Sequence, residues 1–217
     1  MNSIVETIRE NKIIAIIRDI SNEKIIDTCE ALYLGGIKCI EVTFNQSSST
    51  GNEDTYNAIK EITEKFGEKI CVGAGTVMTE DQVELAIQAG AKYIVSPNFN
   101  KGIVAKSIEL GAVSIPGVVT PTEIAEAYKA GASFVKIFPV GNFGVGYLKA
   151  IKSPLSHIPM LAVGGIDLGN VGDYMASGID GVGIGSSLVN KTIINEGRFD
   201  ELTELAKKII KRAQGGR

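Results

Sequence analysis

A lysine and a glutamate, each set into an apolar run, are the residues of this sequence best suited to do chemistry. Lys136 lies in Phe134-Val135-Lys136-Ile137-Phe138, and Glu41 in Ile40-Glu41-Val42. If both runs are strands, alternate residues face the same way, so Phe134, Lys136 and Phe138 share one side and Cys39, Glu41 and Thr43 share another. A lysine placed there is poorly solvated unless its stem carries the amine out to water. Loss of solvation favours the neutral amine and lowers the pKa from about 10.4, which makes a lysine nucleophilic near neutral pH. Glu41 can serve as general acid and base if both side chains enter one cleft. A structural ion pair would use the same two residues and would also perturb their proton affinities, so the pair alone leaves both readings open.

Other polar or small residues interrupt the apolar pattern at the ends of further runs. Arg18 and Thr76 close two of them, and two more end in Val163-Gly164-Gly165-Ile166 and Gly183-Ile184-Gly185-Ser186-Ser187. Glycines at such positions let backbone N–H groups approach an anion closely, and phosphate is the expected ligand. The alternative is that they only relieve crowding at a rim. Cys29, Cys39 and Cys71 form no C-x-x-C pair, and His157 is the single histidine. They suggest buried cytosolic thiols and a loop residue rather than a metal site or disulfide framework, and no metal or organic cofactor is expected.

The elements that must position these residues repeat along the whole chain. Short β-rich runs alternate with amphipathic stretches at intervals of about 20 to 27 residues, the spacing of strand, loop and helix units. Eight strands are predicted, over 13–18, 38–44, 70–76, 93–97, 113–118, 134–139, 159–165 and 181–186. Helices are predicted over 22–34, 54–66, 80–89, 101–110, 121–130, 145–152, 170–177 and 198–212, several of them closed by glycine. Eight such units close into a (β/α)8 barrel of the TIM type, whereas an open dinucleotide-binding sheet would carry glycines in its first turn. That turn is Arg18-Asp19-Ile20-Ser21-Asn22. In such a barrel the carboxyl ends of the strands converge on one mouth, which is where Lys136, Glu41 and the glycine loops fall.

With 217 residues, 44% of them hydrophobic, the chain fits one compact domain over 1–217, with Gly215-Gly216-Arg217 expected to fray. The net charge of -3 is spread along the sequence, so no basic arm offers a nucleic-acid site. Apolar runs are far shorter than the roughly 20 residues that span a bilayer, and the start lacks a leader pattern. A soluble cytoplasmic protein without nucleic-acid or membrane partners is therefore expected.

Taken in order, the strand motifs resemble those of the 2-keto-3-deoxy-6-phosphogluconate aldolase/4-hydroxy-2-oxoglutarate aldolase family over almost the whole length. The matching stretches are Ile14-Ala15-Ile16-Ile17-Arg18, Glu41-Val42-Thr43-Phe44, Val72-Gly73-Ala74-Gly75-Thr76-Val77, Ile94-Val95-Ser96-Pro97, Ile115-Pro116-Gly117, Phe134 to Pro139, Gly164-Gly165-Ile166 and Gly185-Ser186. The resemblance implies a metal-independent class I aldolase in which Lys136 forms a Schiff base with a 2-keto acid and Glu41 shuttles protons. It implies Thr76 and Pro97 in the pyruvate pocket, phosphate on Gly164, Gly165, Gly185 and Ser186, and a homotrimer. Three departures bear on specificity. Asn45 stands where many members have arginine, leaving Arg18 to supply an anion contact. The loop Asn45 to Glu53 is long and polar. Val163 replaces a frequent threonine and resembles the phosphogalactonate enzymes. A phosphosugar epimerase or isomerase would need no imine chemistry, and the metal-dependent ones use several histidines. A silent barrel that only binds a phosphorylated metabolite would leave Glu41 and Lys136 without a task.

Overall fold

The computed structural model describes residues 2–215; Gly216 and Arg217, two of the three residues expected to fray, lie outside it, while Gly215 closes the last helix in a turn. Strands β1 (Ile13–Ile17), β2 (Cys39–Thr43), β3 (Cys71–Gly75), β4 (Tyr93–Val95), β5 (Val113–Ile115), β6 (Gly117–Val118), β7 (Val135–Ile137), β8 (Met160–Val163) and β9 (Gly181–Ile184) form one sheet. Its order is β5-β4-β3-β2-β1-β9-β8-β7-β6, and every pairing is parallel. β5 and β6 are halves of the single stave expected over 113–118. Pro116 lies between them and has no N–H for a ladder bond, so the first half pairs with β4 and the second with β7. The sheet thereby closes into the expected barrel of eight staves.

Around it run α1 (Asn2–Asn11), α2 (Asn22–Leu34), α3 (Gly51–Phe66), α4 (Glu80–Gln88), α5 (Lys101–Glu109), α6 (Pro121–Lys129), α7 (Gly144–Lys152), α8 (Val171–Met175), α9 (Lys191–Asn195) and α10 (Phe199–Ala213). α6 shows why the sequence starts a helix there. Thr120 Oγ1 accepts from the Glu123 amide while the Glu123 carboxylate accepts from the amides of Thr120 and Val119, and Pro121 occupies the first turn. α3 begins three residues before the predicted start, so the polar loop after β2 is shorter than the sequence suggested.

Period two along the strands sorts the core into two layers. Ala15, Ile40, Val42, Ala74, Val135, Ile137, Ala162 and Val182 face outward and pack with the helices. Ile14, Cys39, Tyr93, Val113, Phe134 and Leu161 face inward and fill the barrel. α1, absent from the predicted elements, supplies Ile8 to that inner cluster, with Ile4 and Val5 against it, and so stops the amino-terminal end. Cys39 and Cys71 are opposite each other on β2 and β3, a proximity that their spacing of 32 in sequence hides; Cys71 is only half-buried. No helix among the described residues is long and apolar enough to cross a membrane.

Candidate active site

At the other end of the barrel the strands deliver their polar residues. Lys136 is 5% exposed and Glu41 2% exposed, and both line a cavity of about 300 Å³. Neither points to the helical layer. Backbone geometry makes room for them. Gly75, beside Thr43 in the β2–β3 register, lies against the Glu41 carboxylate, and a Cβ there would fall 1.8 Å from Oε1. Gly117 lies opposite Lys136 on β6, where any Cβ would run into the Pro97 carbonyl at 2.2 Å. The Lys136 amine stands 4.8 Å from the centre of the Phe138 ring, two residues along the same strand.

Burial dominates the electrostatics of the pair. It pushes the Lys136 ammonium below its ordinary range; the nearby positive charge of Arg18 adds to that, and Glu41 opposes it. Burial likewise raises the Glu41 carboxyl, against the pull of Lys136 and Arg18. Each group therefore leans toward its neutral form, the amine as a nucleophile and the acid as a proton donor. Among the described residues Glu41 Oε1 has no hydrogen-bond partner, which leaves one oxygen free for substrate or a proton-carrying water.

Of the ten residues singled out from the sequence, Lys136, Glu41, Arg18, Val163, Gly164, Gly165, Gly185 and Ser186 line this one cavity. Thr76 is tied to it by Arg18, whose Nη2 donates to Thr76 Oγ1 at 3.0 Å. Pro97 sits beside Gly117, behind the position opposite Lys136, and is not part of the cavity wall. Gly164 and Gly165 both have positive φ, 94° and 77°, a turn that favours glycine over any residue with a Cβ. The loops after β8 and β9 are clasped together where Ser187 Oγ donates to the Ile166 carbonyl, and Asn170 Nδ2 holds the Gly165 carbonyl at 2.9 Å. Ile16, Asp167 and Ser187 also line the wall and were given no role; Asp167 directly follows the Val163 to Ile166 motif, Ser187 ends the Gly183 to Ser187 motif, and Ile16 is inward by period two.

A larger cavity, about 640 Å³, lies outside the barrel wall between α2 and α3. Thr43, expected beside Glu41, borders this outer space. Its lining carries Asp19, Glu23 and Asp54 and, among the described residues, neither lysine nor arginine. Nothing there matches a nucleophile with a base, so size does not make it the reaction site. Asn45 borders it too, its Nδ2 donating to Asp19 Oδ1 at 3.2 Å, while Lys191 bridges to the other Asp19 oxygen. His157 is exposed in the loop after α7, edge-on to Tyr128.

Fold and cavity together define a parallel (β/α) barrel enzyme with a buried amine and carboxyl group at its mouth. The family model for KDPG and KHG aldolase matches residues 4–205, and the chain belongs to that aldolase family. It is 33% identical over 177 residues to the 2-dehydro-3-deoxy-6-phosphogalactonate aldolase of Escherichia coli (strain K12), covering 81% of this chain and 83% of that one. It is 32% identical over 211 residues to the 2-dehydro-3-deoxy-phosphogluconate aldolase of Treponema pallidum (strain Nichols), covering 97% of both. Among solved structures, the KDPG aldolase of Legionella pneumophila, with pyruvate captured at low pH as a covalent carbinolamine intermediate, superposes with a TM-score of 0.85 at 26% identity, over 95% of this chain and 97% of that one. The chain is thus an aldolase, a lyase, and the epimerase and silent-barrel alternatives fall away.

Proposed function

We propose that this enzyme cleaves 2-keto-3-deoxy-6-phosphogluconate, or a closely related 4-hydroxy-2-keto acid, to pyruvate and an aldehyde through a Schiff base on Lys136. The observation that carries the reading is a nearly water-free amine sharing one small cavity with a buried carboxyl group. Neutral Lys136 Nζ attacks the C2 carbonyl to give a carbinolamine. Glu41 passes protons through a water while hydroxide departs as water and a protonated imine forms. That cation accepts the C3–C4 bonding pair as the C4 hydroxyl gives its proton, through the water, to the Glu41 carboxylate. Glyceraldehyde 3-phosphate leaves and an enamine stays on the lysine. Protonation at C3 and hydrolysis of the imine release pyruvate. The side chains present suffice for every step without a metal or organic cofactor.

Arg18 and Thr76 are assigned to the substrate carboxylate, and Pro97 backs Gly117 from outside the cavity. Phosphate is assigned to Gly164, Gly165, Gly185 and Ser186, where two clasped loops line one side of the cavity. A homotrimer follows the family resemblance, and a cytoplasmic location follows the short apolar runs of the sequence. The test is reduction with borohydride in the presence of pyruvate, followed by peptide mapping. A stable adduct on Lys136 is expected, and a folded, active protein left unlabelled there rules the mechanism out.

The C4 epimer, 2-keto-3-deoxy-6-phosphogalactonate, is a second reading favoured by Val163. It places an apolar wall at the end of β8 where a hydroxyl would otherwise meet the substrate. Comparing kcat/KM for the two epimers and for an unphosphorylated 4-hydroxy-2-keto acid decides between them.

A further inference from the structure

At the end of β3 the backbone takes a turn that its residue type disfavours. Thr76 has φ of 55°, in the left-handed region, where a β-branched side chain carries strain. Two glutamines from other segments hold it there. Gln46, in the loop after β2, donates Nε2 to the Thr76 carbonyl at 2.7 Å. It also meets Gln82 of α4 amide to amide, with Gln82 Nε2 to Gln46 Oε1 at 3.2 Å and Gln46 Nε2 to Gln82 Oε1 at 3.3 Å. Gln82 is buried and anchored: its Oε1 accepts from the Met78 amide at 2.9 Å, and its Nε2 donates to Asn52 Oδ1 at 3.0 Å.

The turned threonine presents its hydroxyl to Arg18. Apart from Lys136, Arg18 is the one cationic side chain among the described residues that lines the cavity, and it is largely exposed. A free arginine on a rim keeps its rotamer freedom and must lose it on meeting an anion. Asn45 gives no help, because its side chain is engaged with Asp19 outside the barrel wall. We propose that the Gln46–Gln82 pair is a positioning device for substrate binding: it keeps Thr76 turned, Thr76 keeps Arg18 over the cavity, and Arg18 meets the carboxylate of the 2-keto acid already ordered. Both glutamines act through Arg18 and touch no reacting atom. The inference rests on the aldolase reading of the cavity.

An interaction that orders the ground state changes KM and leaves kcat alone. Gln46 is exposed, so Gln46→Ala keeps the fold, and thermal unfolding verifies this. In the full-length enzyme, Gln46→Ala should raise KM for pyruvate in C3 proton exchange about tenfold, the usual worth of a charge-linked hydrogen bond, with kcat within about twofold. In an Arg18→Ala background the same substitution should change kcat/KM no further. An unchanged KM for Gln46→Ala overturns the proposal, and so does a full tenfold loss in the Arg18→Ala background. Borohydride labelling of Lys136 by pyruvate, run alongside, separates the two levels. Intact labelling with unchanged KM sinks the positioning role alone, whereas absent labelling of the parent enzyme sinks the aldolase reading beneath it.

Discussion

The two ends of the barrel are built from the same strands and meet opposite demands. On β7 the amino-terminal side gives Phe134, fully buried in the inner cluster with Ile8 of α1, and two residues further the same face gives Lys136. On β2, Cys39 and Glu41 repeat the contrast. The stopped end is apolar and packed, and there burial stabilises. The mouth is equally dry at its lysine and glutamate, but there burial costs stability and yields reactivity, because each group would be more stable charged in water. The difference lies in what a strand carries at successive inward positions, not in the backbone.

Substitutions can break that contrast. Lys136→Ala should abolish both keto-acid cleavage and borohydride trapping while leaving the denaturant midpoint close to the parent; retained turnover in a folded protein would place the nucleophile elsewhere. Phe134→Ala should do the reverse. Truncating a buried aromatic costs about 3–5 kcal/mol of stability, read from urea unfolding, yet the folded fraction should still label with pyruvate. Glu41→Gln should slow imine formation and C3 proton exchange about a hundredfold, roughly 2.7 kcal/mol in the barrier, and exchange at the parent rate would remove Glu41 from proton transfer. The pH profile sharpens the mouth further. Since the amine must be neutral to attack and its pKa is lowered by burial, imine formation should climb with pH and level off below the ordinary lysine value of 10.5. A limb centred on that ordinary value would mean a solvated amine. The smallest effect belongs to the inner cluster. Tyr93 is fully buried with no partner for its hydroxyl among the described residues, so Tyr93→Phe removes an unpaired polar group and should leave stability equal or higher by about 1 kcal/mol in thermal unfolding.

Much of this was legible before any coordinates. Apolar runs with period two place Lys136, Glu41 and Phe138 on inward faces, and the glycines after β8 and β9 fall on loops of one cavity. The bounds of α2 agree residue for residue, 22 to 34, and the glycine pair after Leu34 marks its end. α1 escaped because it precedes the first strand and so belongs to no strand-and-helix unit, although Ile4, Val5 and Ile8 do form a helical stripe. α9, at five residues, is too short for periodicity to register. The break at Pro116 had its signal in a proline within a strand. Thr76 had none: a β-branched residue gives no hint of a left-handed turn, and the glutamines that hold it lie 36 positions apart in sequence. Contacts made by tertiary closure leave no local periodicity to read.

The interrupted fifth stave divides the wall beside the lysine between two neighbours. Pro116 still takes the Lys136 amide at 2.9 Å, but β4 grips only the half before the proline and β7 only the half after it. The half-stave Gly117–Val118 is held through its ladder to β7, the strand that carries the lysine, and leaves no room for a Cβ against the Pro97 carbonyl. The stretch of wall opposite the amine is therefore registered to the amine's own strand.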